Sequence, residues 1–466
     1  MKRILLIIFT VFCVAVCAVP SIGMIFRPTD KPIGNERQTA APTVTNKDGS
    51  FNFSYFTQLG GYYEKHFAFR PEMIQADAMI QSKGFFTSNI NTVLVGNNDW
   101  LYYTSSTDDY LGKNTLSGKE INGVVNNLKL IQRYSESNGA HFLFTVAPNK
   151  NTLYPDNMPY TYSAKVSDTH NRDLLNSALK DSGVNYCNLF EPLSEQSETL
   201  YFARDSHWNN KGALLAYNTA LDTLQKPHDD YSAAEVTRKK DFTGDLSKML
   251  YPVSSEPEYN YYYGAEEKYT YTTDTKSVED TLIQTTNPTA SGTLYMYRDS
   301  FGNALVPFFA SAYGSATFTK AFPMNIRQDI AANKPDTFVM ELVERNIKWL
   351  ITMPPMLPAP ELSYYKASGT VEGKVNVSVK PCDYAAEYTQ ISALIDSADL
   401  SGSEEYYLTV KDQSGLERTF EAFSYKSEDG EGCLAYLPSE SFPADSSYEI
   451  KLMVKNKDGF FELRSL

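Results

Sequence analysis

The sequence predicts an α/β domain followed by a smaller all-β domain, both behind an N-terminal apolar segment. Three observations carry this. A capped, amphipathic helix at residues 117–138 runs directly into an apolar strand at 141–147, the repeating unit of an α/β sheet. Residues 375–379, 406–410 and 448–454 alternate apolar and polar side chains between turn-forming stretches, which suggests a small β-sandwich. Residues 4–26 are almost continuously apolar behind Lys2 and Arg3, as in a signal sequence.

Taken in order, residues 1–26 read as a signal anchor or a signal peptide. The apolar run, interrupted at Pro20 and Ser21, reaches Phe26 and provides roughly 20 residues, enough for a hydrocarbon core. Lys2 and Arg3 would stay in the cytoplasm and put the rest of the chain outside. Val16-Cys17-Ala18 is a candidate cleavage site, although the length favours an uncleaved anchor. Residues 27–48 mix Pro, Thr, Asn and charge without apolar periodicity and read as a linker.

The α/β domain is expected over 49–355. A helical region from about residue 56 to 81 precedes short strands at 93–95 and 100–103. Ser117 and Glu120 form a capping box, and Ile121, Val124, Val125, Leu128 and Ile131 then share one helical face that closes at Gly139. Further strands are expected at 184–189, 293–297 and 337–340, and helices at about 170–181, 210–224 and 325–333. Residues 226–290 are polar and Tyr-rich, an insertion with irregular strands. Residues 353–360, Met-Pro-Pro-Met-Leu-Pro-Ala-Pro, read as a hinge to the β domain at 360–466.

The 466 residues exceed one typical core. A formal net charge of −14 with no basic stripe excludes a nucleic-acid binder, because nothing neutralises phosphates. The 33 tyrosines suit carbohydrate faces and β-surfaces alike, so they do not choose between them. Cys187 reads as a buried strand residue, and Cys382 and Cys433 are candidates for a disulfide in an exported region. With no His-Glu-x-x-His motif, no Cys/His cluster and no Gly-rich phosphate loop, neither a metal nor a cofactor is expected.

Among the five histidines, His207 has a carboxylate two residues before it, Asp205, and a tryptophan directly after it, in Asp-Ser-His-Trp-Asn. Trp208 stands where it would wall a site. A serine hydroxyl needs an imidazole base oriented by a carboxylate. Ser300, in Arg298-Asp-Ser-Phe-Gly-Asn, follows an apolar strand and is the matching nucleophile candidate. By spacing alone the Asp-x-His pair is not specific, since surface Asp and His often neighbour each other. The Ser300 N–H, Gly302 and Asn303 are candidate oxyanion donors at a helix start that Pro307 would keep short or kinked. Asn149 and Lys150, at the end of the 141–147 strand, are further candidates to face the site. Arg298 is expected to pair with Glu341 or Glu344 rather than touch substrate.

Asp205-Ser-His-Trp-Asn, Arg298-Asp-Ser-Phe-Gly-Asn, Val146-Ala-Pro-Asn-Lys, Asn98-Asp-Trp-Leu-Tyr-Tyr, His66-Phe-Ala-Phe-Arg and Glu341-Leu-Val-Glu-Arg, in this set, resemble the DHHW family and the related SGNH-like O-acetyltransferases of alginate biosynthesis. The resemblance spans roughly residues 56–350, in family order. It implies an SGNH-hydrolase-like three-layer domain with Ser300 as nucleophile, His207 as base and Asp205 as orienting acid. It also implies transfer of acetyl groups to a polysaccharide through an acetyl-serine, with a membrane-bound O-acyltransferase as acetyl supplier. Two positions depart from the pattern. Arg298 stands where a glycine precedes Asp-Ser, and Ser206 replaces the second histidine and is expected to point away from acid and base. A carbohydrate acetylesterase with the same triad remains open. A non-catalytic glycan-binding or assembly protein is disfavoured by the three intact residues. The C-terminal domain is either a glycan holder or a structural module.

Overall fold

The computed structural model describes residues 2–29, 39–275, 277–363, 365, 367–398, 400 and 404–464; residues 30–38 of the expected linker lie outside that set. Seven strands build the central sheet in the order Tyr186–Cys187, His141–Ala147, Thr337–Val343, Thr293–Tyr297, Ser315–Thr319, Leu282–Thr286, Thr270–Tyr271. The first five run parallel, and the last two pair antiparallel.

Side chains alternate between two cores. Phe142, Phe144, Val146, Phe338 and Met340 face one layer, with the helices Gly118–Ser137 and Asn171–Leu179. Leu143, Ala147, Val339, Val343 and Met296 face the other, with Asn210–Thr223 and Val306–Ala312. Burial on both faces explains why these strands read as apolar runs. The first long helix starts as its capping box predicts: the Glu120 N–H donates to Ser117 Oγ at 3.2 Å, and the Ser117 N–H to Glu120 Oε2 at 2.7 Å.

Several expectations need correction. The 184–189 run pairs only at Tyr186–Cys187, because Asn188 accepts the Phe190 N–H and turns the chain into the helix Phe190–Ser194. The 226–290 insertion ends in a sheet strand, Leu282–Thr286, which buries Ile283 and Thr285 on one face; its mixed polarity hid it. Residues 353–360 are a buried strap and not a hinge. Met356 and Leu357 belong to the core of Phe142, the Met356 N–H donates to the Met324 carbonyl at 2.7 Å, and the Ala359 N–H to the Tyr436 carbonyl at 3.0 Å. Cys382 and Cys433 are both free and sit in different cores, Cys382 against Met356 and Cys433 inside the β domain.

The C-terminal all-β domain closes on itself. Glu417–Ser427 pairs with Glu405–Lys411 on one side and Gly430–Pro438 on the other, completing a seven-strand barrel where alternation had suggested a sandwich. Closure gives each of these strands a partner on both sides, so no long edge is left to template aggregation.

Barrel and α/β domain share one buried seam. Asn127 is fully buried; its Nδ2 donates to the carbonyls of Leu350 at 2.7 Å and Ser424 at 2.9 Å, and its Oδ1 accepts the Ser424 N–H at 2.8 Å. Gly123, one turn earlier, leaves no room for a side chain, since a Cβ would stand 2.8 Å from that of Ser424. Asn127→Ala strands three buried backbone groups, and we expect the denaturation midpoint to fall by the equivalent of about 2–3 kcal/mol.

The N-terminal helix Lys2–Phe26 is exposed along nearly all of its length, but its last turns dock on the folded chain. The Ala68 N–H donates to the Pro20 carbonyl at 3.2 Å, Ser21 Oγ and Tyr63 Oη lie 2.6 Å apart, and the Thr29 N–H donates to the His66 carbonyl at 3.0 Å.

Candidate active site

In parallel sheets, ligand sites form beyond the carboxyl ends of the strands. Three adjacent strands end at Ala147, Tyr297 and Val343, and the chain beyond them supplies Lys150, Ser300 and Arg345. Facing them is the tight loop 201–208, closed by the Tyr201 to Trp208 bridge, which precedes the helix Asn210–Thr223. Asn209 caps that helix by accepting the Lys211 and Gly212 N–H groups.

Asp205, His207 and Ser300 stand in one line of hydrogen bonds. His207 Nδ1 lies 2.6 Å from Asp205 Oδ1, and His207 Nε2 lies 2.8 Å from Ser300 Oγ. The carboxylate holds the imidazole proton on Nδ1 and leaves Nε2 to accept from the serine. Asp205 is 2% exposed, and its oxygens also accept the His207 N–H at 2.8 Å and the Asp245 N–H at 2.6 Å. Burial opposes its charge, but the charge of His207 and these donors win and hold its carboxyl at about 2. Burial likewise disfavours the imidazolium, yet Asp205 and then Asp245 outweigh it and raise His207 above its ordinary 6.5.

This sets a pH prediction. A general base must be unprotonated, so activity is lost as pH falls through the His207 pKa. The acid limb of kcat/KM on a chromogenic acetyl ester is expected to have its midpoint above pH 6.5, with a plateau on the alkaline side.

Asp299 shapes the turn that presents Ser300. Its Oδ1 accepts the Phe301 N–H at 2.9 Å and its Oδ2 the Val343 N–H at 2.7 Å, pinning the turn to the neighbouring strand end. A short 3-10 turn, Phe301–Ala304, follows, and the helix proper starts at Val306 with Pro307 in its first turn. Among the described residues the Ser300 N–H has no acceptor and remains available to an oxyanion.

Other candidates take supporting positions. The Asn303 N–H bonds the Ser300 carbonyl at 3.2 Å and its Oδ1 accepts from Arg298, so its side-chain NH2 is the group it has left to donate. Gly302 is needed for packing: a Cβ there would lie 2.5 Å from that of Arg298. Arg298 is fully buried and donates to the carbonyls of Val278 at 3.0 Å and Asp280 at 2.9 Å; Glu341 acts on it as a neighbouring charge rather than as its bonded partner. Trp208 does not wall an open site. It is buried and donates Nε1–H to the Phe301 carbonyl at 3.0 Å, locking the serine turn to the histidine loop.

Lys150 points into the 201–208 loop and away from substrate space. Its Nζ donates to the carbonyls of Leu101 and Ala203, both at 2.7 Å, and of Asp205 at 2.9 Å, which uses all three protons. Burial lowers it to about 7. Asn149 joins a buried network in which Nδ2 donates to Asp109 at 2.9 Å, the N–H donates to Glu344 at 2.8 Å, and Oδ1 accepts from Arg345 at 3.1 Å. Burial and the charge of Asp109 push Glu344 up to about 8.

Two residues escaped the sequence reading. Asp245, from the insertion, takes the Ser206 N–H at 2.9 Å and the Ser206 hydroxyl at 2.7 Å, and its Oδ2 lies 3.8 Å from His207 Nδ1. Ser206 therefore turns toward acid and base, its Oγ 3.2 Å from Nδ1, and not away from them. The only local signal for Asp245 is a Gly-Asp pair opening the short helix Asp245–Leu250. Arg345 ends the Glu341-Leu-Val-Glu-Arg motif; its guanidinium lies 5.9 Å from the Phe301 ring, and its charge acts on His207. Asp205, His207 and Asp245 lie close enough to form a cation-binding set, but their oxygens already accept the N–H and O–H groups named above, which a cation would displace.

Residues 93–301 match the family model of the SGNH hydrolase-like domain of acetyltransferase AlgX. These residues form an SGNH-like domain. The fold of the chain is the expected one, mixed α/β with a C-terminal β domain and an N-terminal apolar helix. No curated protein matches the chain significantly in sequence. Among solved structures it is similar to a DHHW family protein from Eubacterium siraeum, at 17% identity over 50% of this chain and 86% of that one, TM-score 0.39. It is similar to Bacillus cereus PatB1 at 16% identity over 56% and 96%, TM-score 0.43. Pseudomonas aeruginosa AlgX is similar at 12% identity over 84% and 98%, TM-score 0.37.

Proposed function

We propose that this chain is a membrane-anchored, extracytoplasmic O-acetyltransferase that esterifies hydroxyls of a polysaccharide through an acetyl-serine intermediate. The observation that carries this reading is the continuous Asp205 to His207 to Ser300 line, at 2.6 and 2.8 Å, inside a domain that matches the model of acetyltransferase AlgX. Ser300 Oγ attacks the acetyl carbonyl carbon of a donor ester while its proton passes to His207 Nε2. The tetrahedral oxyanion takes the Ser300 N–H. Collapse breaks the donor C–O bond, and His207 returns the proton to the leaving alcohol. A sugar hydroxyl then attacks the acetyl-serine and gives its proton to His207; the acetyl C–Oγ bond breaks, His207 passes the proton to Ser300 Oγ, and acetylated sugar and free Ser300 are released.

The polysaccharide acceptor, and a membrane-bound O-acyltransferase as acetyl supplier, follow from the resemblance to the alginate O-acetyltransferases. Extracytoplasmic placement rests on the helix Lys2–Phe26, whose 25 residues at about 1.5 Å each exceed a ~30 Å hydrocarbon core. The test incubates the purified full-length chain with an acetyl ester, with and without acetyl-free oligosaccharide, beside Ser300→Ala. Acetylated sugar formed by the wild type alone supports transfer. Fast acetate release that ignores the acceptor makes the chain an esterase instead, and equal inactivity of the two proteins sinks the catalytic reading.

A further inference from the structure

A cavity of about 600 Å3 opens beside the loop that carries Asp205, yet neither His207 nor Ser300 lines it. Its volume falls within the ~300–1,000 Å3 usual for ligand sites. Ser247 lines it and is 1% exposed, and among the described residues its Oγ has no hydrogen-bond partner. Buried hydroxyls are almost always bonded, so an orphan at a cavity wall points to a ligand group.

The other walls narrow the ligand chemistry. Lys83 pairs with Asp99 at 2.7 Å, and Arg204 reaches Asp99 at 3.7 Å and Glu256 at 3.4 Å. Two cations and two anions leave the lining without net charge but rich in both donors and acceptors. At the rim, Phe86 is 73% exposed and held at a φ of 55°, a left-handed conformation uncommon for a bulky residue. An anionic or cationic ligand would meet a like charge, and an acyl chain would cover four charged groups and an unpaired hydroxyl.

We infer that this cavity binds an uncharged stretch of oligosaccharide, stacking one sugar face on Phe86 and engaging hydroxyls with Ser247 and the Lys83, Asp99, Arg204, Glu256 set. This rests on the reading that the substrate is a polysaccharide, and it gives the polymer a hold outside the Ser300 site. The hold is close to the chemistry. Arg204 directly precedes Asp205, its carbonyl accepts the Ser247 N–H at 3.0 Å, and the helix bearing Ser247 begins at Asp245, whose N–H bonds Asp205. A chain held there is in register with the loop that carries the acid and the base.

Calorimetric titration of the full-length chain in lipid nanodiscs tests this with cellohexaose, maltohexaose, mannohexaose and N-acetylchitohexaose, beside hexagalacturonate and decanoate. At least one neutral hexasaccharide is expected to bind wild type and Ser300→Ala alike. Its Kd is expected to rise about tenfold or more in Phe86→Ala, an exposed position where folding is not at stake, or in Ser247→Phe, which fills the cavity. No binding of any neutral hexasaccharide, unchanged Kd in both variants, or binding of only hexagalacturonate or decanoate overturns the inference. Because Ser300→Ala retains the cavity, failure of the acetyl-transfer reading would leave this titration unaffected, and the two can fail separately.

Discussion

Ser300→Ala is expected to lower acetyl transfer by at least about a thousandfold while leaving the fold in place. The loss is large because the hydroxyl is the only group on the serine turn aligned with His207 Nε2 at hydrogen-bond distance. What remains without it, the free Ser300 N–H and bound substrate, stabilises a tetrahedral oxyanion that no longer has an attacking atom. The fold is spared because Ser300 is half-buried and the turn is held by Asp299, Trp208 and Phe301 rather than by the hydroxyl. The measurements are transfer to an oligosaccharide and the thermal midpoint. Transfer above a tenth of wild type with an intact fold would move the nucleophile elsewhere. Ser206→Ala is the companion variant, since its Oγ is 3.2 Å from the other ring nitrogen of His207.

Asp205→Asn is expected to cost about 10³–10⁴-fold for a different reason. The carboxylate oxygen accepts from Nδ1 and so keeps Nε2 free to accept from the serine. An amide that turns its NH2 toward Nδ1 favours the opposite tautomer, with hydrogen on Nε2 pointing at Ser300. The change also removes the charge that raises the His207 pKa. Residual activity in the variant should therefore show its acid limb at lower pH than in wild type. An acid limb that stays in place would mean that Asp205 does not govern His207.

The parts of the fold legible in the sequence are those whose causes are local. The Ser117 and Glu120 box starts its helix as read, and the apolar run at 141–147 is a central strand. The two motifs Asp-x-His and Asp-Ser pointed to three residues that the chain brings within hydrogen-bond reach. Asp245 was invisible because its partners are two carboxylate-loop groups 39 and 40 residues away, with no motif binding them together. Lys150 was misplaced because its partners are backbone carbonyls, which carry no side-chain signature. Leu282–Thr286 is Leu-Ile-Gln-Thr-Thr, two apolar residues followed by three polar ones with no period-2 pattern, so it reads as insertion. Barrel closure depends on one strand pairing with two others, which periodicity along a single strand does not reveal. Prolines at 354, 355, 358 and 360 looked like a flexible joint, but proline restricts the chain, and Met356 and Leu357 between them supply the apolar weight that buries it.

The seam at Asn127 has a consequence for how the chain is made. Asn127 and Ser424 are 297 residues apart. At a synthesis rate of about 5–20 residues per second, the helix bearing Asn127 waits on the order of 15–60 s before its partner exists. During that interval the groove at Gly123 lies uncovered, and the first domain has a face it cannot close. Premature termination anywhere before the barrel is complete would leave that face open for good, and such fragments should be cleared or aggregate rather than persist as short active enzymes.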